Sequence, residues 1–268
     1  MRRRRILGVV SAPVSAQAGT EDRLREALED TWYHSIELAP GAVTSGWVDL
    51  RRVAPRVLPD LSGLRALDVG TFDGFWAFAM ERAGAAEVVA TDVGSVAELE
   101  IPPVQREGVL REIDGLELGR RFALAAELLG SRARRVESGI YDLDAARLGG
   151  PFDYAVVGDL LLHLRDPIGG LEAVRRTLRP AGRLLLVEQI NLMLTVLHPR
   201  TPCARMAATE TRFDWWQANA RCVGAWLAAA GFERPHRRRF YRVRPADERT
   251  GRWHVALEAR TGAPGSDP

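Results

Sequence analysis

Leu67-Asp68-Val69-Gly70-Thr71-Phe72-Asp73-Gly74-Phe75-Trp76, followed at short range by Val88-Val89-Ala90-Thr91-Asp92, decides the fold. Residues 65–69 form an apolar run of strand length, 70–74 a tight turn bounded by glycines, and 75–82 the opening of a helix. A second apolar strand over 87–91 then ends in a carboxylate, Asp92. Glycine lets backbone approach a ligand closely, and a helix N-terminus offers free N–H donors. An acid that closes the second strand accepts hydrogen bonds from ribose hydroxyls. A lone glycine motif carries little weight. Strand, Gly-x-x-x-Gly, helix, strand and acid in this spacing predict a Rossmann-like α/β core.

The turn departs from the Gly-x-Gly-x-x-Gly of dinucleotide binders. Thr71 follows the first glycine, and Phe72-Asp73 fills the space before Gly74. The carboxylates of Asp68 and Asp73 would repel a pyrophosphate. They suit a ligand that offers an ammonium group, a ribose and an adenine but no phosphate, which is the chemistry of S-adenosylmethionine. A glycine turn in an unrelated α/β enzyme is the alternative.

At 268 residues the chain has room for one large α/β domain with an appendage, and its 46% hydrophobic content is ordinary for a globular protein. A net charge of +2 gives no global field for nucleic acid. Lysine is absent, so every basic side chain is Arg or His. The two cysteines, Cys203 and Cys222, have no metal-ligand spacing. No metal site is expected, and a reduced, cytoplasmic protein is the simple expectation.

Outward from the core, residues 1–20 read as a flexible basic tail. Their apolar stretch, Ile6–Val10, is shorter than the ~7–15 residues of a secretory signal. Thr20-Glu-Asp-Arg23 starts a helix to about Thr31, and Pro40-Gly41 breaks the alternation that follows. Residues 21–60 are expected to pack as an N-terminal appendage over the mouth of a core spanning 61–268. Further strands read at 134–138, 152–157, 183–187, 238–243 and 253–258. An insertion over 93–133 carries a helix at 118–129. Other helices read at 166–178, ended by Arg179-Pro-Ala-Gly182, and at 214–230. Strands alternating with helices predict a doubly wound, mostly parallel seven-stranded sheet, with one antiparallel strand from the terminal hairpin-like pair. No stretch reaches the ~20 apolar residues of a membrane span.

With Ile140-Tyr141-Asp142 and the strand at 152–157 added, the chain resembles the class I S-adenosylmethionine-dependent methyltransferases. Leu67–Gly70, Ser138-Gly-Ile-Tyr141, Leu161-Leu-His-Leu-Arg-Asp-Pro167 and Trp226-Leu-Ala-Ala-Ala-Gly-Phe232 are similar to the tRNA wobble-uridine carboxymethyltransferases and their small-molecule relatives. The likeness covers about residues 45–260. It implies that Asp68, Gly70, Thr71, Phe72, Asp73 and Gly74 hold the methionine part of the cofactor. Asp92 and Val93 would take the ribose, while Ile140 and Tyr141 would flank the adenine and Asp142 accept its amine. Gly158 and Asp159 would line the floor under the sulfonium. Core packing is the alternative for Ile140 and Tyr141. The carboxymethyl enzymes use a lysine and a tyrosine for the extra carboxylate of their cofactor. Here no lysine exists, Leu162 stands at the tyrosine position before His163, and Arg249 would be the arginine partner. These departures point to ordinary methyl transfer.

Methyl transfer is an in-line displacement at an activated sulfonium, so alignment of the nucleophile dominates. A hydroxyl nucleophile also needs a base. His163, on the loop after the strand at 152–157, is the first candidate, and His34 in the appendage is the second. Glu188, just after the strand at 183–187, is the third. Trp32, Tyr33, Trp47, Trp215, Trp216, Asn219 and Arg249 are the expected acceptor contacts. Core packing is the alternative for each of the aromatics. Arg132-Ala-Arg-Arg135 and Arg237–Arg244 could touch RNA phosphates, but in an Arg-biased chain such clusters are usually solvated strand faces. The sequence therefore points to methylation of a nucleophilic oxygen on a small molecule, a natural-product or sugar intermediate. The alternatives are tRNA wobble-uridine modification and a non-catalytic adenosyl-binding protein. A homo-oligomer is left open.

Overall fold

A computed structural model describes residues 14–209, 213–235 and 237–262. Most of the expected basic tail lies outside these residues. The N-terminal part runs α1 (Val14–Glu29), β1 (Trp32–His34), β2 (Glu37–Ala39), β3 (Ala42–Val43), β4 (Gly46–Val48) and α2 (Ala54–Val57). The core follows as β5 (Arg65–Val69), α3 (Phe75–Arg82), β6 (Glu87–Asp92), α4 (Arg106–Glu112), α5 (Arg120–Leu129), β7 (Arg134–Glu137) and β8 (Phe152–Gly158). Then come α6 (Pro167–Thr177), β9 (Leu178–Gln189), α7 (Leu192–Leu197), β10 (Ala204–Met206), β11 (Trp216–Ala218), α8 (Ala220–Ala229), β12 (Arg237–Val243) and β13 (Arg252–Arg260).

The seven-stranded sheet has the order β12-β13-β9-β8-β5-β6-β7. β13 runs antiparallel to both neighbours, and the remaining ladders are parallel. The expected Rossmann-like, mostly parallel sheet with one antiparallel strand is therefore present. Its central strands β5, β6, β8 and β9 carry runs buried on both faces, as expected of a parallel sheet covered by helices. On one face Ala66, Tyr154, Val156, Leu185 and Val187 pack with Phe75, Trp76 and Phe78 of α3. On the other, Leu67, Val69, Ala155, Val157, Leu184 and Leu186 pack with Leu171 and Val174 of α6 and with Val223 and Leu227 of α8. The chain leaves β5 toward β6 on one side, while β8 joins β5 on the other. That reversal opens a crevice beyond the carboxyl ends of β5 and β8, the place where open α/β sheets bind ligands.

Three local expectations need correction. The helix expected from Thr20 begins at Val14. Arg179-Pro-Ala-Gly182 does not separate a helix from a strand. It is a bulge inside β9, where Phe152 faces Leu178 and Tyr154 already faces Arg183, with Ala181 at φ 59°. The helix expected over 214–230 starts at Ala220, because β11 pairs with β10 and Asn219 caps α8 through its side chain. Two adjacent tryptophans favour a pleated strand, and an asparagine before Ala220 is a strong helix start.

The N-terminal segment is fastened to the core by ion pairs at the end of α1. Asp30 accepts from Arg120 at 2.7 Å and from Arg121 at 3.1 Å. β1 and β4 pair in parallel, and a Cβ on Gly46 would collide with the His34 and Ser35 backbone, so only glycine fits there.

Candidate active site

The crevice is a cavity of about 1090 Å³ bordered by Tyr33, His34, Trp47, Gly70, Phe72, Asp92, Val93, Ile140, Tyr141, Asp142, Gly158, Asp159 and His163, among others. The insertion contributes Leu99, Glu100, Val109, Ile113, Leu116 and Leu118. The strands beyond the switch point add Gln189, Arg252 and His254. The cavity thus gathers most of the expected cofactor residues and both candidate histidines.

Its donor side is built around the glycine turn. Gly70 lies at φ 73°, in the left-handed region, and its amide and that of Thr71 donate to the Thr91 carbonyl. Phe72, a non-glycine residue at φ 50°, is held there by its own amide, which donates to Asp92 Oδ2 at 2.7 Å. Asp92 Oδ1 accepts from the Val93 amide at 2.8 Å. Two backbone donors therefore aim this carboxylate, and each oxygen keeps further acceptor capacity toward the cavity. Burial lifts the Asp92 carboxyl above its ordinary value, and the two amides oppose that lift.

Asp68, Thr71, Asp73 and Gly74 do not border the cavity; they brace the turn from below. Asp68 accepts from Thr71 Oγ1 at 2.7 Å and from the Ala77 amide at 2.9 Å. Burial pushes its carboxyl up to about 7, against those two hydrogen bonds. Asp73 takes the His34 amide at 2.7 Å on one oxygen and His34 Nδ1 at 2.6 Å on the other. Gly74 precedes α3 at φ 93°. Tyr141 lies at the cavity edge, where its hydroxyl accepts from the Asp166 amide at 3.3 Å.

Three histidines border the cavity. The His34 ring packs flat on Phe75, with centroids 5.0 Å apart, and edge-on to Tyr33. With Nδ1 bound to a carboxylate, Nε2 is the ring's remaining nitrogen. His163 stacks on Phe213 at 4.4 Å, and its Nδ1 lies 3.1 Å from the Phe213 carbonyl and 3.5 Å from Asp214 Oδ1. It therefore also keeps Nε2. His254, on β13, was not foreseen from the sequence. Its Nδ1 is 3.1 Å from the Arg252 carbonyl and its Nε2 is 3.2 Å from Asp159 Oδ2. Both partners are acceptors only, so the ring donates from both nitrogens and carries a charge. Burial opposes that charge, but Asp159 outweighs it and His254 titrates above its ordinary value. Burial likewise works against ionised Asp159, yet the His254 charge and hydrogen bond hold its carboxyl below the usual range. Asp159 itself sits at φ 47°, a strained conformation at the floor of the site.

Several expected residues are elsewhere. Glu188 is buried behind the floor. It accepts from the Leu161 and Leu162 amides at 3.1 and 3.2 Å, so it shapes the loop that carries His163 and has no route to an acceptor. Burial, then the Asp159 charge, drives its carboxyl well up. Trp32 is core, its indole donating to the Ala27 carbonyl. Trp215 is buried and donates to the Glu100 carbonyl. Asn219 accepts from the Cys203 and Cys222 amides and donates to the His198 and Thr201 carbonyls. It is a structural knot. Trp216 borders an adjoining groove, and Arg252, not Arg249, reaches the cavity. Arg252 lies over the Trp47 ring at 4.8 Å and pairs with Glu248. Of the basic cluster at 132–135, Arg134 is bound to the Leu148 carbonyl and Arg135 to the Val93 carbonyl.

The charges lining the cavity suit a cationic donor. Among the described residues, nine carboxylates (Asp92, Glu98, Glu100, Glu112, Asp142, Asp159, Asp214, Asp247 and Glu248) border it against one guanidinium, that of Arg252. S-adenosylmethionine, with a sulfonium and an ammonium against one carboxylate, fits this lining and the phosphate-free Gly70 turn. No three-residue group of metal-ligating side chains occurs among the described residues, and no helix among them is long and apolar enough to cross a membrane.

A family model described as a methyltransferase domain matches residues 47–236. The tRNA U34 carboxymethyltransferase of Idiomarina loihiensis is 28% identical over 186 residues, 68% of this chain and 49% of the relative. That of Azotobacter vinelandii is 30% identical over 184 residues, with the same two shares. The ribosomal protein L11 methyltransferase of Deinococcus radiodurans is 33% identical over 166 residues, 62% of this chain and 50% of the relative. The chain thus spans about half the length of the curated relatives it matches. Among solved structures, the Burkholderia thailandensis 1,6-didemethyltoxoflavin-N1-methyltransferase, with bound 1,6-didemethyltoxoflavin and S-adenosylhomocysteine, aligns with a TM-score of 0.52 at 17% identity. That alignment covers 96% of this chain and 93% of the other. An S-adenosylmethionine-dependent methyltransferase from Mesorhizobium loti gives 0.52 at 14% identity, covering 79% and 97%. At these identities the two structures speak for the fold. The glycine turn, the aimed Asp92 carboxylate and the domain match agree: this chain belongs to the methyltransferase-domain family.

Proposed function

We propose that the enzyme transfers the methyl group to a nucleophilic oxygen of a small molecule, a natural-product or sugar intermediate, with His163 receiving the proton. The observation that carries this reading is the cavity itself. At about 1090 Å³ it exceeds the usual span of small-ligand sites, which leaves room for an acceptor beside the cofactor. Its acidic lining opposes a phosphate-rich partner.

In the proposed arrangement, Gly70 and Phe72 pass under the methionine part, Asp92 accepts from the ribose, and Tyr141 and Asp142 border the adenine. The cofactor supplies an activated methyl carbon when bound. The protein's part is to set the acceptor oxygen about 3 Å from that carbon and to take its proton. His163 has the Phe213 carbonyl on Nδ1, which fixes the tautomer that leaves Nε2 as the base. His34, anchored on the turn by Asp73, closes the opposite wall.

The experiment is turnover with methyl-labelled cofactor in His163→Ala and His163→Gln. Both should lower kcat by about 10²–10⁴-fold while S-adenosylhomocysteine binds as in wild type. Full turnover in either variant removes His163 as the base. A second reading, modification of tRNA wobble uridine, is favoured by the two U34 relatives. It predicts methyl incorporation into bulk tRNA with steep salt dependence.

A further inference from the structure

A second pocket of about 400 Å³ adjoins the cavity and shares Leu162, Gln189, Gln217 and Arg252 with it. Its own lining adds Trp216 and Trp253, with Arg242, Asn191 and Leu192. Among the described residues, no carboxylate lines it, in contrast to the cavity it opens from. Charge therefore differs on the two sides of the shared residues: acidic in the cavity where the sulfonium cofactor is placed, basic and aromatic in the adjoining pocket.

Arg242 is the group that gives this pocket its chemistry. It sits directly across from Trp253 in the β12–β13 ladder, so the two side chains share one face of the sheet. Its Nε donates to the Gly251 carbonyl at 3.3 Å, and its two terminal nitrogens have no partner among the described residues. A Cβ on Gly251 would collide with the Arg242 side chain, so the glycine keeps the channel through which that side chain runs. Arg252 is already engaged by Glu248 and by Gln189 at 3.2 Å. Trp216 is positioned by an indole bond to the Arg165 carbonyl at 3.3 Å. Two tryptophans and a guanidinium with free terminal nitrogens are a recognition set for a flat ring that carries an acidic group.

We propose that this pocket is the distal acceptor subsite. It holds a planar, anionic part of the acceptor, a carboxylate or phosphate on an aromatic ring, while the reacting oxygen lies in the main cavity. The assignment rests on the small-molecule reading above and narrows it to acidic aromatic acceptors.

The test titrates S-adenosylhomocysteine-saturated protein with 2-naphthoate, 2-naphthyl phosphate and uncharged 2-naphthol, read by calorimetry and tryptophan quenching. At least one anionic probe should bind about tenfold tighter than 2-naphthol, and whichever does identifies the group recognised. Arg242→Gln should erase that difference, and Trp216→Leu should weaken all three probes. Both variants should bind S-adenosylhomocysteine as wild type does, which serves as the folding control. Equal affinity for charged and uncharged probes, or indifference to Arg242→Gln, overturns the subsite. Displacement of the probes by bulk tRNA at low salt assigns the pocket to RNA and overturns it as well. Failure to bind S-adenosylhomocysteine at all would instead strike at the cofactor site.

Discussion

Replacing Asp92 by Ala puts the donor site to a quantitative test. The wild-type carboxylate is aimed by the Phe72 and Val93 amides and keeps acceptor capacity toward the cavity. Two ribose hydroxyls donating to a carboxylate are charge-assisted, and each such bond contributes about 1.5–3 kcal/mol. Water partly replaces them in the variant, so a net loss of about 3 kcal/mol is expected, roughly 100-fold in Kd. The same change frees the Phe72 amide, which holds a residue at φ 50°. Loss of that hydrogen bond costs about 1 kcal/mol and relaxation of the strained turn offsets part of it, so thermal stability should change little. Calorimetric titration with S-adenosylhomocysteine and with adenosine reads the first effect. Both ligands should weaken by the same factor, because the loss rides on the ribose they share. The reasoning is refuted if the folded variant binds both ligands within twofold of wild type.

Other consequences follow from neighbouring positions. Gly70→Ala should lose about 1–2 kcal/mol in urea melts, because φ 73° disfavours a side chain and the new Cβ would press on Leu160; cofactor affinity should fall with it. Asn219→Ala should cost about 2–4 kcal/mol of stability by removing a helix cap and two carbonyl ties. Its Kd for S-adenosylhomocysteine should not change, since Asn219 is not at the site. The Asp159–His254 pair makes a pH prediction. Asp159 is lowered from 3.8, so its contribution is lost as pH falls through the folded value. His254 is raised from 6.5, so its contribution is complete below 6.5 and is lost as pH rises through the higher folded value. The melting-temperature gap between wild type and His254→Gln should therefore be widest between about pH 4 and 6.5 and close in alkali. A gap independent of pH contradicts the ion pair.

Much of this architecture is legible in the chain because it depends on local signals. Apolar runs with glycine punctuation locate β5, β6, β8 and α3, and the acid at the end of β6 lies on the cavity wall. The site was harder to read where it depends on partners far apart in sequence. His254 looks like one more polar residue near the end of the chain. Only the antiparallel pairing of β13 with β9, which sets His254 opposite Gln189, brings it to Asp159. Trp32, Trp215 and Asn219 were expected at the acceptor because their chemistry suits ligands. Carbonyls and amides of the fold claim that chemistry instead. Arg249 and Arg252 differ by three positions, but Arg249 falls in the turn between β12 and β13, whereas Arg252 opens β13 and borders the cavity. The lining from the insertion carried no motif at all, only scattered apolar side chains and three glutamates, Glu98, Glu100 and Glu112.

The most direct test of the account is the fate of the methyl group. Purified enzyme is given methyl-labelled S-adenosylmethionine together with a pool of hydroxylated, acidic aromatic metabolites and bulk tRNA, and the two fractions are separated. The account predicts label in the small-molecule fraction as an O-methyl group, with S-adenosylhomocysteine released in equal amount. Label confined to tRNA would contradict it.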